Sequence, residues 1–225
     1  MTLSDFVRAG NQAGDPALYE VENLALDRRG LVLSAMRTFA PWREKVLVDL
    51  GCGSGFWFRH YVDAATVIGV EPDETLIPLA RKRDENVEVM LGSAEHIPLP
   101  DASADVVHAR FAYFWGEGCE RGLEEVARVL APGGRLVVVD NDESHGEFAE
   151  LLTSAYPRRE PEKWWAERGA EIERVLSDWS FDSRRDLEAV LRLECPRPVA
   201  DAWLASNLGR TEISYGYLVV CWTRP

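Results

Sequence analysis

The 225-residue sequence has no two closely spaced cysteines and no long apolar run. Its few cysteines form no CxxC pair and have no histidine at a metal-site spacing, which argues against a zinc site and against a disulfide framework. No stretch approaches the roughly 20 apolar residues that a membrane-spanning helix requires. We therefore expect no metal ion, no membrane partner and a reducing, cytoplasmic setting. The four cysteines are Cys52, Cys119, Cys195 and Cys221.

The sequence is also short of basic residues. It has 25 Lys and Arg against 38 Asp and Glu, a formal net charge of −13. Because proteins bind phosphate backbones through several Lys and Arg at once, this balance disfavours a nucleic acid as partner. The first residues contain neither a basic segment nor an apolar core, so we expect no secretory signal peptide.

Short β-favouring runs alternate with helical patterns up to residue 140. The strand predictions are 46–50, 66–70, 87–91, 104–110 and 135–140. The helix predictions are one or two helices over 16–39, interrupted near Gly30, then 56–64, 74–83 and 120–130. Strands separated by helices indicate right-handed crossovers and a mostly parallel sheet. The predicted class is a doubly wound α/β fold.

The pattern changes after residue 140. We expect helices over 146–156, 186–193 and 200–208, and strands over 172–181 and 214–222. The proline-rich segment 156–161 is too short for an interdomain linker and is the best candidate for a loop or lid. We therefore expect a single domain over 1–225. Its parts are an N-terminal helical cover at 1–40, a cofactor-binding core at 41–140 and a sheet-completing, substrate-side region at 141–225.

A glycine-rich turn directly follows the first predicted strand. Gly51, Gly53 and Gly55 allow positive φ angles and a close approach of a ligand to the backbone. Such turns lie at the carboxyl edge of doubly wound sheets, where these folds bind cofactors. Glu71 ends the next strand and is placed to accept hydrogen bonds from ribose hydroxyls. The pattern predicts a pocket for a nucleoside.

Residues missing from this turn narrow the choice of nucleoside. A dinucleotide fingerprint needs glycine where the sequence has Phe56, and the Gly-Lys-Ser/Thr of a phosphate-binding loop is absent. Asp49 places a carboxylate in the same turn, which is unfavourable beside a pyrophosphate and favourable beside an ammonium group. A ligand with a ribose and a cationic amino acid tail fits best.

Four motifs, in order and at fitting spacings, resemble those of a known family. They are DLGCGSG at 49–55, the acidic Glu71, GSAEHIPLPD at 92–101 and RVLAPGGRL at 128–136. Between residues 47 and 140 the chain resembles the class I S-adenosylmethionine-dependent methyltransferases. The resemblance implies a Rossmann-like sheet of seven strands with an antiparallel last strand, and S-adenosyl-L-methionine as the cofactor.

The resemblance also implies roles for individual residues. The methionine part of the cofactor would contact Asp49 and the backbone of the glycine turn, the ribose would contact Glu71, and the adenine edge would contact Ser93, where the family commonly has Asp. The implied cofactor-binding residues are Asp49, Gly51, Cys52, Gly53, Glu71, Pro72, Ser93, Ala94 and Arg110.

Methyl transfer to a hydroxyl or an ammonium group requires a base for the acceptor's proton, and histidine titrates near neutral pH. His108, near the end of the fourth strand, and His145, after the fifth, are the two catalytic candidates. The alternatives are a hydrogen-bonded structural histidine for His108 and a helix-capping loop for His145. The acidic residues around His145 match no metal-site spacing, so we interpret them as solvated charges.

Aromatic residues are the candidates for recognising the substrate. Tyr113 and Trp115 follow the fourth strand, Trp164 lies further along the chain, and Tyr19 lies on the N-terminal helical segment, where it would cover the cofactor. Such side chains line pockets for flat or cationic molecules by stacking or cation–π contact. The alternatives are core packing for the tryptophans and an ordinary surface position for Tyr19.

The sequence predicts a methyltransferase that acts on a small molecule. One alternative is a non-catalytic nucleoside-binding module, or a pseudo-methyltransferase that uses the fold as a sensor. The other is an RNA or protein methyltransferase, which would need a basic surface strip and binding that strengthens as salt is lowered. The sequence leaves the methyl acceptor and the oligomeric state open.

Overall fold

A computed structural model describes residues 15–225, together with Leu3 and Phe6. The predicted N-terminal cover, residues 1–40, therefore lies partly outside the described residues. Within them, seven strands form one sheet in the order β3-β2-β1-β4-β5-β7-β6. The strands are β1 Val46–Leu50, β2 Thr66–Glu71, β3 Glu88–Leu91, β4 Ala104–Arg110, β5 Leu130–Asn141, β6 Glu171–Ser180 and β7 Glu212–Thr223.

The first five strands are parallel, and β7 runs antiparallel to both of its neighbours. This confirms the doubly wound α/β class and the antiparallel last strand. From β1 the sheet extends through β2 to β3 on one side, and through β4, β5 and β7 to β6 on the other. The carboxyl ends of β1 and β4 therefore flank the crevice where such sheets bind ligands.

Helices flank the sheet within the described residues. They are α1 Pro16–Ala25, α2 Leu31–Phe39, α3 Ile77–Arg83, α4 Glu120–Val129, α5 Glu147–Ala155, α6 Pro161–Ala166, α7 Arg184–Glu194 and α8 Arg197–Ser206. None of these helices is long and apolar enough to cross a membrane.

The predicted interruption near Gly30 separates two helices. Gly30 has a left-handed backbone with φ of 70°. Asp27 accepts hydrogen bonds from the backbone N–H groups of Leu31, Val32 and Leu33 at 2.9–3.2 Å. These bonds satisfy N–H groups that the first turn of a helix leaves without partners, so α2 begins here.

The helix predicted over 56–64 is wrong. The segment has only a 3-10 turn at Phe58–His60. Phe56, Trp57 and Phe58 are all buried, and three consecutive helical side chains would point about 100° apart. An irregular backbone lets all three face the core. The prediction also missed α6, a six-residue helix that begins at Pro161.

Alternate strand residues face two separate cores. Leu47, Val106 and Val137 lie on one side of the sheet, which we call the front face, with α1, α2, α5, α7 and α8 packed over it. Val48 and Val107 lie on the other side, the back face, under α4 and α6. Because side chains alternate along a strand, Asp49, His108 and Arg110 belong to the front face.

Candidate cofactor and acceptor site

The glycine-rich turn after β1 has the conformation that the sequence predicts. Gly51, Gly53 and Gly55 have φ angles of 74°, 57° and 75°, which side chains other than glycine rarely adopt. A Cβ on Gly51 would lie 2.8 Å from the Cβ of Ala112. Glycine is therefore required at position 51 both by the left-handed backbone and by the close approach of Ala112.

Glu71 connects the end of β2 to this turn. Its Oε2 accepts a hydrogen bond from Gly53 N at 2.7 Å, and its Oε1 accepts one from Asp73 N at 2.8 Å. Burial raises the pKa of Glu71 to about 7. Each carboxylate oxygen has a further lone pair, so Glu71 still has acceptor capacity for two hydroxyl donors such as those of a ribose.

Asp49 lies at the end of β1 and is completely buried. Its Oδ2 is 3.4 Å from Nη2 of Arg110, whereas its Oδ1 has no hydrogen-bond partner in the described part of the chain. Burial raises the pKa of Asp49, and the charge of Arg110 opposes that rise. A buried acceptor oxygen without a partner is costly, so this atom marks a place for a donor such as an ammonium group.

Arg110, one of the predicted cofactor-binding residues, ends β4 on the front face. Its guanidinium carbon is 4.2 Å from the centre of the Trp57 ring, and its side chain is only 8% exposed. Its Nε has no partner among the residues described. The stacking and the ion pair with Asp49 hold the guanidinium at the end of β4.

The loop after β3 contains the predicted adenine-side residues. Ser93 and His96 exchange backbone hydrogen bonds at 3.0 and 3.1 Å. Ser93 and Ala94 are buried, and Ser93 Oγ has no partner within the described residues. Pro72 directly follows Glu71 and is half-buried. A hydroxyl without a partner is consistent with a contact to a nucleobase edge.

Cys52, in the glycine-rich turn, is buried, and a Cβ on Gly69 would lie 2.9 Å from its Sγ. Burial also raises the pKa of its thiol. The side chain therefore packs against β2, while the backbone N–H of Cys52 donates to Val70 O at 3.2 Å and its carbonyl accepts from Gly55 N at 3.0 Å.

The two histidine candidates lie in different surroundings. His108 is fully buried beside Asp49, with ring centres 5.0 Å from Trp42 and 5.3 Å from Tyr61. Neither of its ring nitrogens has a partner among the described residues. Burial lowers the pKa of His108 to about 3. At neutral pH the imidazole is therefore uncharged and a weak base.

His145 lies in the loop between β5 and α5, with 60% of its side chain exposed. Its Nδ1 is 2.9 Å from Oδ2 of Asp142 and 2.6 Å from Oγ of Ser144. An aspartate on one ring nitrogen orients a histidine and leaves the other nitrogen available for proton transfer. Within residues 15–225, the hydrogen bonds and the ion pair of His145 are with Asp142 and Ser144 rather than with Asp49 or Arg110.

The structure separates the four aromatic candidates. The charges of Glu22, Arg110 and Glu71 all act on the hydroxyl of Tyr19, and burial raises the pKa of that hydroxyl. The hydroxyl of Tyr19 therefore lies within electrostatic reach of Glu71 and Arg110, two of the predicted cofactor residues. Trp164 packs in the back-face core, where its Nε1 donates to Glu120 at 2.8 Å.

Tyr113 and Trp115 lie in the loop after β4. The hydroxyl of Tyr113 donates to Oε1 of Glu95 at 2.9 Å, which ties this loop to the predicted adenine-side loop. Trp115 is 51% exposed. The structure thus brings Tyr19 near the predicted cofactor residues Glu71 and Arg110 and places Trp115 at the surface.

The proline-rich segment 156–161 is irregular up to the start of α6. Arg159 anchors it, because its backbone N and its Nε bind the carboxylate of Glu143 at 2.7 and 2.8 Å. Arg159 Nη2 is also 3.6 Å from Oδ1 of Asp140. The prediction of a loop is confirmed, whereas its role as a lid stays a prediction.

Sequence reasoning missed two residues near Tyr19, namely Glu22 on α1 and Glu194 at the end of α7. Glu22 is buried, and the charge of Glu194 acts on it. The available signal was that Glu22 occupies a position between Leu18 and Ala25 on the stripe of α1 that faces the core. A charged residue on a buried stripe is an informative exception.

The sheet order, the glycine-rich turn and the acidic residue at the end of β2 together define the class I methyltransferase fold. Residues 48–138 match the family model described as a methyltransferase domain. Over those residues the chain resembles the methyltransferase domain family, and its sheet has the Rossmann-like methyltransferase fold of solved structures.

Curated relatives share about half of the chain. An uncharacterized methyltransferase of Mycobacterium bovis is 38% identical over 114 residues, which are 49% of this chain and 46% of the relative. A malonyl-[acyl-carrier protein] O-methyltransferase of Yersinia pestis is 32% identical over 107 residues, 47% of this chain and 39% of the relative. The matched segments therefore span less than half of these relatives' length.

Solved structures share the fold over nearly the whole chain. A methyltransferase of Thermotoga maritima, described as a possible histamine N-methyltransferase, superposes with a TM-score of 0.63 at 22% identity, covering 96% of this chain and 98% of that one. The YcgJ protein of Bacillus subtilis superposes with a TM-score of 0.58 at 21% identity, covering 86% of this chain and 97% of that one. At these identities the likeness shows the fold alone.

Proposed function

We propose that this protein binds S-adenosyl-L-methionine and methylates a small-molecule acceptor. The observation that carries the proposal is the buried Oδ1 of Asp49, which has no partner in the described part of the chain and lies beside the glycine-rich turn. The net charge of −13 supports a small-molecule acceptor over a nucleic acid.

The chain's residues fit the parts of this cofactor. Asp49 and the backbone of Gly51, Cys52 and Gly53 would hold the amino acid part, and Glu71 and Pro72 the ribose. Ser93 and Ala94 would hold the adenine edge. When bound, the cofactor supplies a methyl group on a positively charged sulfur. The protein then has to orient an acceptor and exclude water.

Calorimetry with S-adenosylmethionine and with S-adenosylhomocysteine tests the proposal. We expect both to bind at one site per chain. If neither ligand binds, the proposal is contradicted. Binding without product formation from any acceptor would favour the non-catalytic alternative, and binding of RNA that strengthens sharply as salt is lowered would favour the RNA alternative.

Cofactor affinity is expected to depend on pH through Glu71. Ribose hydroxyls donate to the ionised carboxylate, so the ligand favours the form without the proton. Because the pKa of Glu71 is raised to about 7, affinity for S-adenosylhomocysteine should rise with pH and level off above that value. We expect about tenfold weaker binding at pH 6 than at pH 8.

The Glu71→Gln variant is the control for this pH dependence. It keeps the size of the side chain and loses its titration, so its affinity should be weaker and nearly flat with pH. Calorimetry from pH 5.5 to 8.5 measures the affinity of both proteins. If affinity depends on pH in the same way in the wild type and the variant, the titrating group is not Glu71.

His145 remains our candidate base for acceptors that lose a proton, and His108 is the less basic alternative. With such an acceptor, His145→Gln should lower kcat about 100-fold and remove the acidic limb of the pH–rate profile. Cofactor affinity should be unchanged. An unaltered profile would eliminate His145.

A further inference from the structure

Polar side chains form a row across the carboxyl edge of the front face. Glu71 and Arg110 end β2 and β4, Asp49 is the penultimate residue of β1, and these three residues form the predicted cofactor half of the row. On the other side of Arg110, Asn141 ends β5 and pairs in register with Tyr217 of β7. The cofactor residues leave this second half, over β5 and β7, to the acceptor.

Two carboxyl groups lie over the second half. Glu22 comes from α1 and Glu194 from the end of α7, and these two helices pack against each other. Burial and the nearby Glu194 both raise the pKa of Glu22 well above its usual range, and the two side chains share a hydrogen bond. Two carboxyl groups that share a hydrogen bond hold one proton between them.

Glu22 is oriented for a partner that the described chain does not supply. The residue is only 8% exposed, and its Oε2 has no hydrogen-bond partner within residues 15–225. No ion pair to Glu22 is present among those residues either, and Arg110, a buried cation of the same face, pairs with Asp49. A buried carboxyl without a cation destabilises the fold, which points to a functional role.

Aromatic rings complete this region. Tyr215 stacks on Phe148 and on Tyr217, with ring centres 4.6 and 4.4 Å away, and meets Trp179 edge-on at 5.3 Å. The charges of both Glu22 and Glu194 act on the Tyr215 hydroxyl. Carboxylates beside aromatic rings are the combination that recognises an ammonium group or another cationic nitrogen group.

Tyr19 joins the two halves of the row. Its hydroxyl is under the charges of Arg110 and Glu71 on the cofactor side and of Glu22 and Glu194 on the other side. A molecule held by the two glutamates therefore lies next to the residues that we assign to the cofactor.

We propose that Glu22 and Glu194 form the recognition site for a cationic nitrogen group on the methyl acceptor. The identification of the bound molecule as the acceptor rests on the proposed function, whereas the binding of the cation does not. The cation takes the place of the proton that the two carboxyl groups share. The acceptor class is therefore an amine-bearing small molecule.

Matched probes test the charge preference directly. Tyramine, tyrosol and 4-hydroxyphenylacetate share one aromatic body and differ in a cationic, neutral or anionic end; hexylamine, hexanol and hexanoate form an aliphatic set. Saturation-transfer NMR should show the amines binding at least about tenfold more tightly than the alcohols, with no binding of the acids. Equal binding within a set, or no amine binding at 5 mM, overturns the proposal.

Two variants and one control assign the preference to these residues. Glu22→Gln and Glu194→Gln should lose the amine preference and keep their affinity for S-adenosylhomocysteine, which also shows that they fold. Glu188→Gln, at a half-buried position of α7 where the carboxylate pairs with Arg184 and Arg192, should change neither. Retention of amine binding by both site variants overturns the proposal.

Proton release gives a second measurement. Amine binding to the wild type at pH 7 should expel about one proton, seen as a difference in calorimetric heat between Tris and phosphate buffers. The groups that face Glu22 are Glu194, Tyr19, Tyr215 and Tyr217. Amine titrations with and without S-adenosylhomocysteine separate the two proposals, because a protein that takes amines and binds no cofactor contradicts the proposed function alone.

Discussion

Asp49→Asn is expected to weaken binding of S-adenosylhomocysteine by about 4 kcal/mol, roughly 1,000-fold. Asp49 is fully buried, and its Oδ1 has no partner in the described residues. An ammonium group in that position would be desolvated, and an asparagine would leave it without a counter-charge. Asparagine has nearly the same size as aspartate, so packing against β4 changes little.

Asp63→Asn is the matched control. Asp63 also pairs with an arginine, since Oδ2 of Asp63 is 2.9 Å from Nη1 of Arg37, but this pair lies near the surface and away from the glycine-rich turn. Surface pairs contribute about 1 kcal/mol or less. Calorimetry should show unchanged affinity for this variant. If both variants bind the ligand as the wild type does, Asp49 is not the ammonium contact.

Gly216→Ala is expected to lower the free energy of unfolding by about 3 kcal/mol. Gly216 lies in β7, and a Cβ there would be 2.2 Å from the backbone oxygen of His145 and 3.2 Å from that of Asp142. Both contacts are with backbone, so no side-chain rotation relieves them. The loop from 141 to 146 must move away from β7, which also breaks the 2.9 Å hydrogen bond from Asp142 N to Gly216 O.

Thermal unfolding measures this cost. For a chain of this size the loss corresponds to a fall in Tm of roughly 10 °C. Gly133→Ala is the comparison, because a Cβ there meets nothing within 4 Å and the cost is only that of its left-handed backbone, with φ of 76°. Equal Tm values for Gly216→Ala and the wild type would show that the loop accommodates the methyl group.

Local patterns predicted most of the sheet. The strand bounds 46–50 and 104–110 agree with the structure, because short continuous runs of β-branched and apolar residues match buried parallel strands. The helix predicted after the glycine-rich turn failed because burial of three consecutive aromatic residues overrode helical spacing. Here the packing of distant parts of the chain decided the local backbone.

The same distinction applies to the site. Asp49 and Glu71 lie in motifs whose spacing is local, so the sequence could predict both as candidates. Glu22 and Glu194 come from opposite ends of the chain and meet only because α1 and α7 pack together. A pairing of that kind has no local signature, and only the isolated charge on the buried side of α1 pointed to it.

Helix α1 carries both Tyr19, which we predict to cover the cofactor, and Glu22, which we propose to bind the acceptor. A single ten-residue helix of this kind cannot be ordered over one ligand without being ordered over the other. The two ligands should therefore bind cooperatively, and thermodynamic reciprocity requires each to raise the affinity for the other by the same factor. The affinity of the protein for each of two chemically unrelated ligands would in this way depend on the other ligand through one short helix.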